Sequence, residues 1–176
     1  MTAAEKEYGG ALYLLAEEEG CEDEVLAGLS LAAQLFAENP DYIRLLENPA
    51  VSKEEHLRLL DEALRGNMHP YALNFIKILC EKSAIRQLSG CIAVFTDRLY
   101  AARGILPVVV WSAVPLDEQQ KESLKDKLEA ATGKTILLNS RIDPSLLGGI
   151  KVSYEGRELD GSIAGRLAAV RQVLMS

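Results

Sequence analysis

Few residues in this chain have the type and spacing to do chemistry. Thr132-Gly133-Lys134-Thr135 has the ending of a phosphate-binding loop. In such a loop backbone N–H groups cradle phosphates and a lysine reaches across them. The motif needs a glycine five positions before its last glycine, where this chain has Leu128. It also needs a strand before it and a helix after it. The apolar spacing here predicts the reverse order, so the segment reads as a helix stop leading into a strand. Gly148-Gly149, Gly156, Gly161 and Gly165 do not form the GxGxxG spacing of a dinucleotide site and read as turns and bulges.

His56 and His69 are the only histidines. Both fall near predicted helix starts, where exposed histidines serve structure, and neither lies in a triad or metal motif. Asp143, Glu158 and Asp160 are imaginable as paired carboxylates for acid–base work. A turn before Pro144 and a helix cap at Asp160 or Ser162 account for Asp143 and Asp160 without catalysis. Cys21, Cys80 and Cys91 are odd in number and widely spaced. They offer neither a disulfide framework nor a CxxC metal spacing, and read as reduced cysteines on apolar helix faces. Nothing assembles a nucleophile, a base and an orienting group. No cofactor is called for.

The whole-chain charge narrows the function further. Net charge is −7 and the sequence pI about 5.0, which disfavours broad binding to a phosphate backbone. The charge is uneven: residues 1–104 carry net −7 and residues 105–176 net zero. A step of that size near Gly104 marks two domains, 1–104 and 105–176. The start, Met1 to Tyr8, lacks the pattern of a signal or transit peptide. The longest apolar stretch, Ile105 to Leu116, is broken by two prolines and is too short to span a bilayer. A soluble protein is expected, meeting a membrane only through a partner.

The elements that must position these residues are of two kinds. Tyr8, Ala11, Leu12 and Leu15 follow the i, i+3, i+4, i+7 spacing of a helix face, with Gly9 and Gly10 inside it. Each of those glycines weakens a helix by about 1 kcal/mol relative to alanine, so the fold should use their lack of a side chain. Val25, Leu29, Ala32 and Phe36 mark a second helix. Asn39-Pro40 reads as a cap and first-turn proline opening a third. Ser52-Lys53-Glu54-Glu55 is a capping box opening a fourth, which Gly66-Asn67 closes. Pro70 opens a fifth helix that is apolar nearly all round, so it lies at a bundle's centre or is partly covered by another chain. Ile85, Leu88, Ile92, Phe95 and Leu99 stripe a sixth, ending at Arg103-Gly104.

Beyond Gly104 the pattern changes. Val108 to Trp111 and Thr135 to Asn139 read as strands. Between them Leu124, Leu128 and Ala131 share a helix face behind Asp117 and Gln120, a capping-box pair. Ile150, Val152 and Tyr154 alternate with polar residues as a third strand, and Glu155-Gly156-Arg157 is a turn. Ile163, Leu167, Val170 and Leu174 mark a last helix. The expected fold class is α+β: an N-terminal six-helix bundle followed by a small β-α-β-β-α domain.

The stretch Ile142-Asp143-Pro144-Ser145-Leu146-Leu147-Gly148-Gly149-Ile150-Lys151-Val152, then Leu159-Asp160-Gly161-Ser162-Ile163 and Arg166-Leu167, resembles the signature of the ATP synthase delta-subunit family. The mitochondrial counterpart is the oligomycin-sensitivity-conferring protein. Tyr8-Gly9-Gly10-Ala11-Leu12-Tyr13 is similar to the opening of the family's first helix, with Gly9 where alanine is usual. Asn74 to Leu79 resembles its fifth helix, and Ser112 to Leu116 the start of its second domain. The acidic balance resembles the bacterial branch.

The resemblance implies a non-catalytic stator subunit of an F-type ATP synthase at the cytoplasmic face of the cell membrane. Its N-terminal bundle would hold the amphipathic N-terminal helix of an alpha subunit between its first and fifth helices. Its C-terminal part would bind the b subunits of the peripheral stalk. The groove residues it implies are Tyr8, Ala11, Leu12, Leu15, Phe75, Ile76 and Leu79, with Gly9 and Gly10 letting the partner helix approach closely. Periodicity alone leaves each of the seven open between groove and core. An enzyme with its site at the Gly148-Gly149 turn lacks a nucleophile and base here. A helical adaptor unrelated to the synthase is the other alternative.

No nucleotide is an expected partner. Titrating ATP into the purified chain in a calorimeter should give no saturable heat; stoichiometric binding would overturn that expectation.

Overall fold

The computed structural model describes residues 2–146 and 148–161. The chain is α+β, with seven α-helices, one 3-10 turn and a four-stranded sheet among the described residues. It divides into two compact units between Leu99 and Tyr100, a little before Gly104.

In the first unit α1 (Ala3–Glu19) begins earlier than the apolar pattern suggests. Thr2 and Glu5 form a reciprocal capping box there: the Thr2 hydroxyl accepts from Glu5 N–H, and the Glu5 carboxylate accepts from Thr2 N–H. The helix stops at Gly20, in the left-handed region at φ 65°, with Cys21 N–H donating back to the Ala16 carbonyl. Helix α2 (Glu22–Glu38) buries Val25, Leu29, Ala32 and Phe36. Pro40 stands in the first turn of α3 (Pro40–Leu46), as expected. Asn39 does not cap it; its amide donates to the Leu35 carbonyl, closing the preceding helix instead.

Helix α4 (Lys53–Leu64) has only half the expected box. Ser52 Oγ accepts from Glu55 N–H, while the Glu55 carboxylate has turned to Arg58. Helix α5 (Pro70–Glu81) is opened by His69, whose Nδ1 accepts from Tyr71 N–H. It ends in a Schellman turn: Ser83 N–H donates to the Cys80 carbonyl and Ala84 N–H to the Leu79 carbonyl. Ser83 takes the left-handed position at φ 53° that glycine usually fills. A 3-10 turn (Ile85–Gln87) leads into α6 (Leu88–Ala102).

These elements share one core, in which Phe95, Leu29, Leu60, Leu64, Ile76 and Leu79 are the largest fully buried side chains. Tyr13 meets Phe95 edge to face at 5.6 Å. The expectation that Gly9 and Gly10 face a partner needs correction. A Cβ on Gly9 would lie 2.5 Å from the Cys91 carbonyl oxygen, and one on Gly10 2.8 Å from the Arg98 guanidinium. Both glycines are spent inside the chain, against α6. His56 is also not an exposed helix-start histidine: it is 8% exposed, on the buried face of α4.

The second unit is built on β1 (Ile105–Ser112). This strand pairs parallel with β2 (Thr135–Ile142) and antiparallel with β3 (Ile150–Tyr154), which pairs antiparallel with β4 (Arg157–Asp160). The sheet order is therefore β2-β1-β3-β4. Helix α7 (Glu118–Thr132) links the parallel pair, opened by the expected Asp117–Gln120 capping box. Leu106, Val108, Val110, Ile136 and Val152 form the unit's core, with Leu124 and Leu128 of α7 packed on it. Glu155 and Gly156, both at positive φ, make the two-residue turn of a tight hairpin. Arg157 is thus the first residue of a fourth strand rather than part of the turn, and Asp160 ends that strand. The expected last helix through Ile163, Leu167, Val170 and Leu174, and its cap at Ser162, lie outside the described residues.

Two expected outcomes follow from the packing. Gly9→Ala gains helix propensity but presses a methyl group on backbone, so it should lose about 1–3 kcal/mol. Gly10→Ala meets the tip of an exposed arginine that can swing aside, so it should be neutral or gain up to about 1 kcal/mol. Urea unfolding of both variants checks this; equal losses would place the two glycines in equivalent contacts.

The second concerns acid. The Lys77 ammonium, 2.6 Å from Asp61 Oδ1, holds the Asp61 carboxyl below its ordinary value, with Arg65 adding to the effect. A carboxyl depressed in the folded state adds stability above its unfolded value of about 3.9, lost as pH falls through the folded one. Asp61→Asn should therefore be less stable than the parent at neutral pH, with the gap closing below about pH 4. A gap that stays constant across that window would refute the pairing.

Candidate functional site

Helix α1 carries two faces. Gly9, Gly10, Tyr13 and Ala16 are buried against the rest of the unit. Tyr8, Ala11, Leu12 and Leu15 fall at the 3.6-residue spacing that turns them to one other side. Glu19, at the end of α1, lines one small depression with His69, Pro70 and Tyr71 at the start of α5. The two helices therefore run in opposite directions where they meet. Tyr71, Asn74, Phe75 and Ile78, again at i, i+3, i+4 and i+7, face the α1 row.

Together these two rows line an open groove of about 450 Å³. Its lining is mostly apolar, and part of it stands in water: Leu15 is 39% and Ile78 45% exposed, while Leu12 and Phe75 are nearly covered and form its floor. The Tyr13 hydroxyl donates to Glu17 Oε1 at 2.6 Å, fixing the ring beside Phe95.

Of the seven residues expected to line a groove, five do: Tyr8, Ala11, Leu12, Leu15 and Phe75. Ile76 and Leu79 do not. Both are 0% exposed and belong to the core. The reason is helical phase: positions 72, 76 and 79 lie on a neighbouring face of α5, turned about 120° from the row 71, 74, 75, 78. Tyr71, Asn74 and Ile78 take their places, and sequence spacing from Phe75 at −4, −1 and +3 was the signal that could have found them.

The other candidates are dispersed and individually occupied. Lys134 follows Gly133, which caps α7 in the left-handed conformation at φ 68°. Its ammonium lies 2.5 Å from Glu155 and holds that carboxyl below its usual range. Asp143 Oδ1 accepts from the backbone N–H and hydroxyl of Ser145, and these bonds lower its carboxyl value. Glu158 pairs with Lys151 at 3.0 Å, and that lysine also lies over the Trp111 ring.

Burial pushes the thiols of Cys80 and Cys91 up, and burial with the nearby Glu24, Glu19 and Glu22 does the same for Cys21. Such thiols are poor nucleophiles at neutral pH. Among the described residues no cluster of His, Cys, Asp and Glu could hold a metal. No described helix is long and apolar enough to cross a membrane.

Comparison with known proteins identifies the family. Residues 4–174 match the family model of the ATP synthase delta (OSCP) subunit. ATP synthase subunit delta of Rhodospirillum rubrum is 32% identical over 168 residues, 95% of this chain and 90% of the relative. The protein of the same name from Symbiobacterium thermophilum is 31% identical over 175 residues, 99% of this chain and 94% of the relative. A chain in the cryo-EM structure of the Toxoplasma gondii mitochondrial ATP synthase hexamer shares the fold at a TM-score of 0.74 and 21% identity, covering 100% of this chain and 99% of that one. A family match over nearly the whole length, with relatives at this identity, means that the chain belongs to the ATP synthase delta (OSCP) subunit family.

Proposed function

We propose that this chain is a stator link of an F-type ATP synthase, joining the catalytic head to the peripheral stalk with no reaction of its own. The observation that carries the reading is the open apolar groove between α1 and α5. Leu15 and Ile78 remain partly exposed there although the unit has a well-filled core to place them in. Two antiparallel rows at helical spacing make a trough for a third helix, whose own i, i+3, i+4, i+7 anchors would fill it. The occupant is the amphipathic N-terminal helix of the alpha subunit, as membership of the family implies.

The C-terminal domain, residues 105–176, is the part that binds the b subunits. The complex would sit at the cytoplasmic face of the membrane, and this chain would reach the membrane only through it. Torque from rotation is then resisted by two static contacts, so that ion flow and ATP synthesis stay coupled. Acid–base or nucleophilic chemistry plays no part in such a role. The pairing of Lys134 with Glu155 and the raised thiols are consistent with that.

The test is titration of a peptide carrying the alpha subunit's N-terminal helix into the full chain. Leu15→Glu and Ile78→Glu place a charge on partly exposed groove walls and should leave the fold intact, checked by melting curves. Each should weaken the peptide at least about tenfold, since few anchors carry a small interface. Full affinity in both well-folded variants would put the binding site elsewhere.

A further inference from the structure

Asn74 is the one carboxamide in the groove. Of its eight lining residues, Ala11, Leu12, Leu15, Phe75 and Ile78 are apolar, and Tyr8 and Tyr71 are tyrosines. A tyrosine can lay its ring on an apolar partner and leave its hydroxyl in water. A short carboxamide in the middle of the α5 row cannot. Asn74 is exposed, so its two N–H donors and its oxygen are served by water while the groove is open. Covering it with a purely apolar helix face would strip that water without replacement, at a cost that opposes binding.

The replacement must come from the occupant's side chains. A helix in the groove has already spent its backbone N–H and C=O groups on its own i→i−4 bonds. A charged side chain would carry a larger desolvation cost of its own than a neutral one.

We propose that the helix filling this groove carries one neutral hydrogen-bonding side chain (Asn, Gln, Ser or Thr) within its apolar stripe, opposite Asn74, and that this pair sets the register in which the helix docks. The inference rests on the helix-in-groove reading above. Apolar contacts between two ridged surfaces are nearly as good after a slide of one turn, about 5.4 Å. The polar pair is not, because a slide leaves both groups covered and unpaired. A single polar residue in a coiled-coil seam specifies register in the same way.

The experiment is a double-mutant cycle with the full chain and the alpha-subunit N-terminal peptide. Asn74→Leu should weaken the peptide about tenfold, with Asn74→Ala similar, because the peptide's polar group is then buried without a partner. One peptide variant, with a neutral polar residue of its stripe changed to Leu, should bind the parent chain about tenfold more weakly. It should recover most of that loss on the Asn74→Leu chain.

Unchanged or tighter binding by both Asn74 variants, or the absence of any peptide variant that restores affinity to Asn74→Leu, overturns the register pair. If Ile78→Glu still abolishes binding in that case, the groove reading survives on its own. A peptide that fails to bind the parent chain, or that binds Ile78→Glu equally well, overturns both.

Discussion

The close approach of α1 to α6 at Gly9 is the constraint on which the first unit depends. With a Cβ 2.5 Å from the Cys91 carbonyl oxygen there is no room for any side chain. Glycine in a helix interior costs about 1 kcal/mol in propensity, and α1 accepts it at two consecutive positions. What is gained is depth. Tyr13 reaches Phe95, and Ala16 is fully buried. Because α1 is seated by its glycine face, its row of Tyr8, Ala11, Leu12 and Leu15 is left free to form a wall. A methyl group at Gly9 would lift that wall relative to α5, so the groove's width is set on the side of the helix facing away from it.

Helix α5 supplies the matching wall by a related economy. It is twelve residues long and apolar on most of its circumference. Ala72, Ile76 and Leu79 are fully covered by the core, while Tyr71, Asn74, Phe75 and Ile78 look outward into the groove. A helix so used is stabilised by its buried half alone. Its outward half is then free to vary with what it must bind. Lys77 shows the boundary between the halves, since its ammonium leaves the groove row to pair with Asp61 of α4.

Much of this was legible from residue spacing, and the failures have physical causes. The amphipathic stripe of α1 gave four groove residues because one of its faces is glycine and the other is not. On α5 apolar residues surround the axis, so no stripe distinguishes Ile76 from Ile78, and only the packed neighbours decide that the first is core and the second is rim. The end of α5 was hidden because Ser83 does the work of glycine. The strand Arg157–Asp160 was hidden because a short, fully exposed edge strand needs no apolar alternation to be stable once the Glu155–Gly156 turn has set its register. The glycines at 9 and 10 imply a close approach, and it is α6 of the same chain that makes it rather than a partner helix. A sequence shows that a close approach occurs, not which helix makes it.

The two kinds of contact in the groove answer different mechanical demands. Apolar burial is non-directional and scales with area, so it resists separation of two helices far better than it resists sliding along their common axis. Hydrogen bonds weaken steeply when donor and acceptor are displaced or misaligned. A stator contact, on the reading proposed above, is loaded continuously and must not creep. Leu12, Phe75 and Ile78 then supply the area that holds an occupant in, and Asn74 supplies the directional restraint that holds it in place. A wholly apolar trough would hold a helix with a wholly apolar stripe just as firmly, but would leave its register unset.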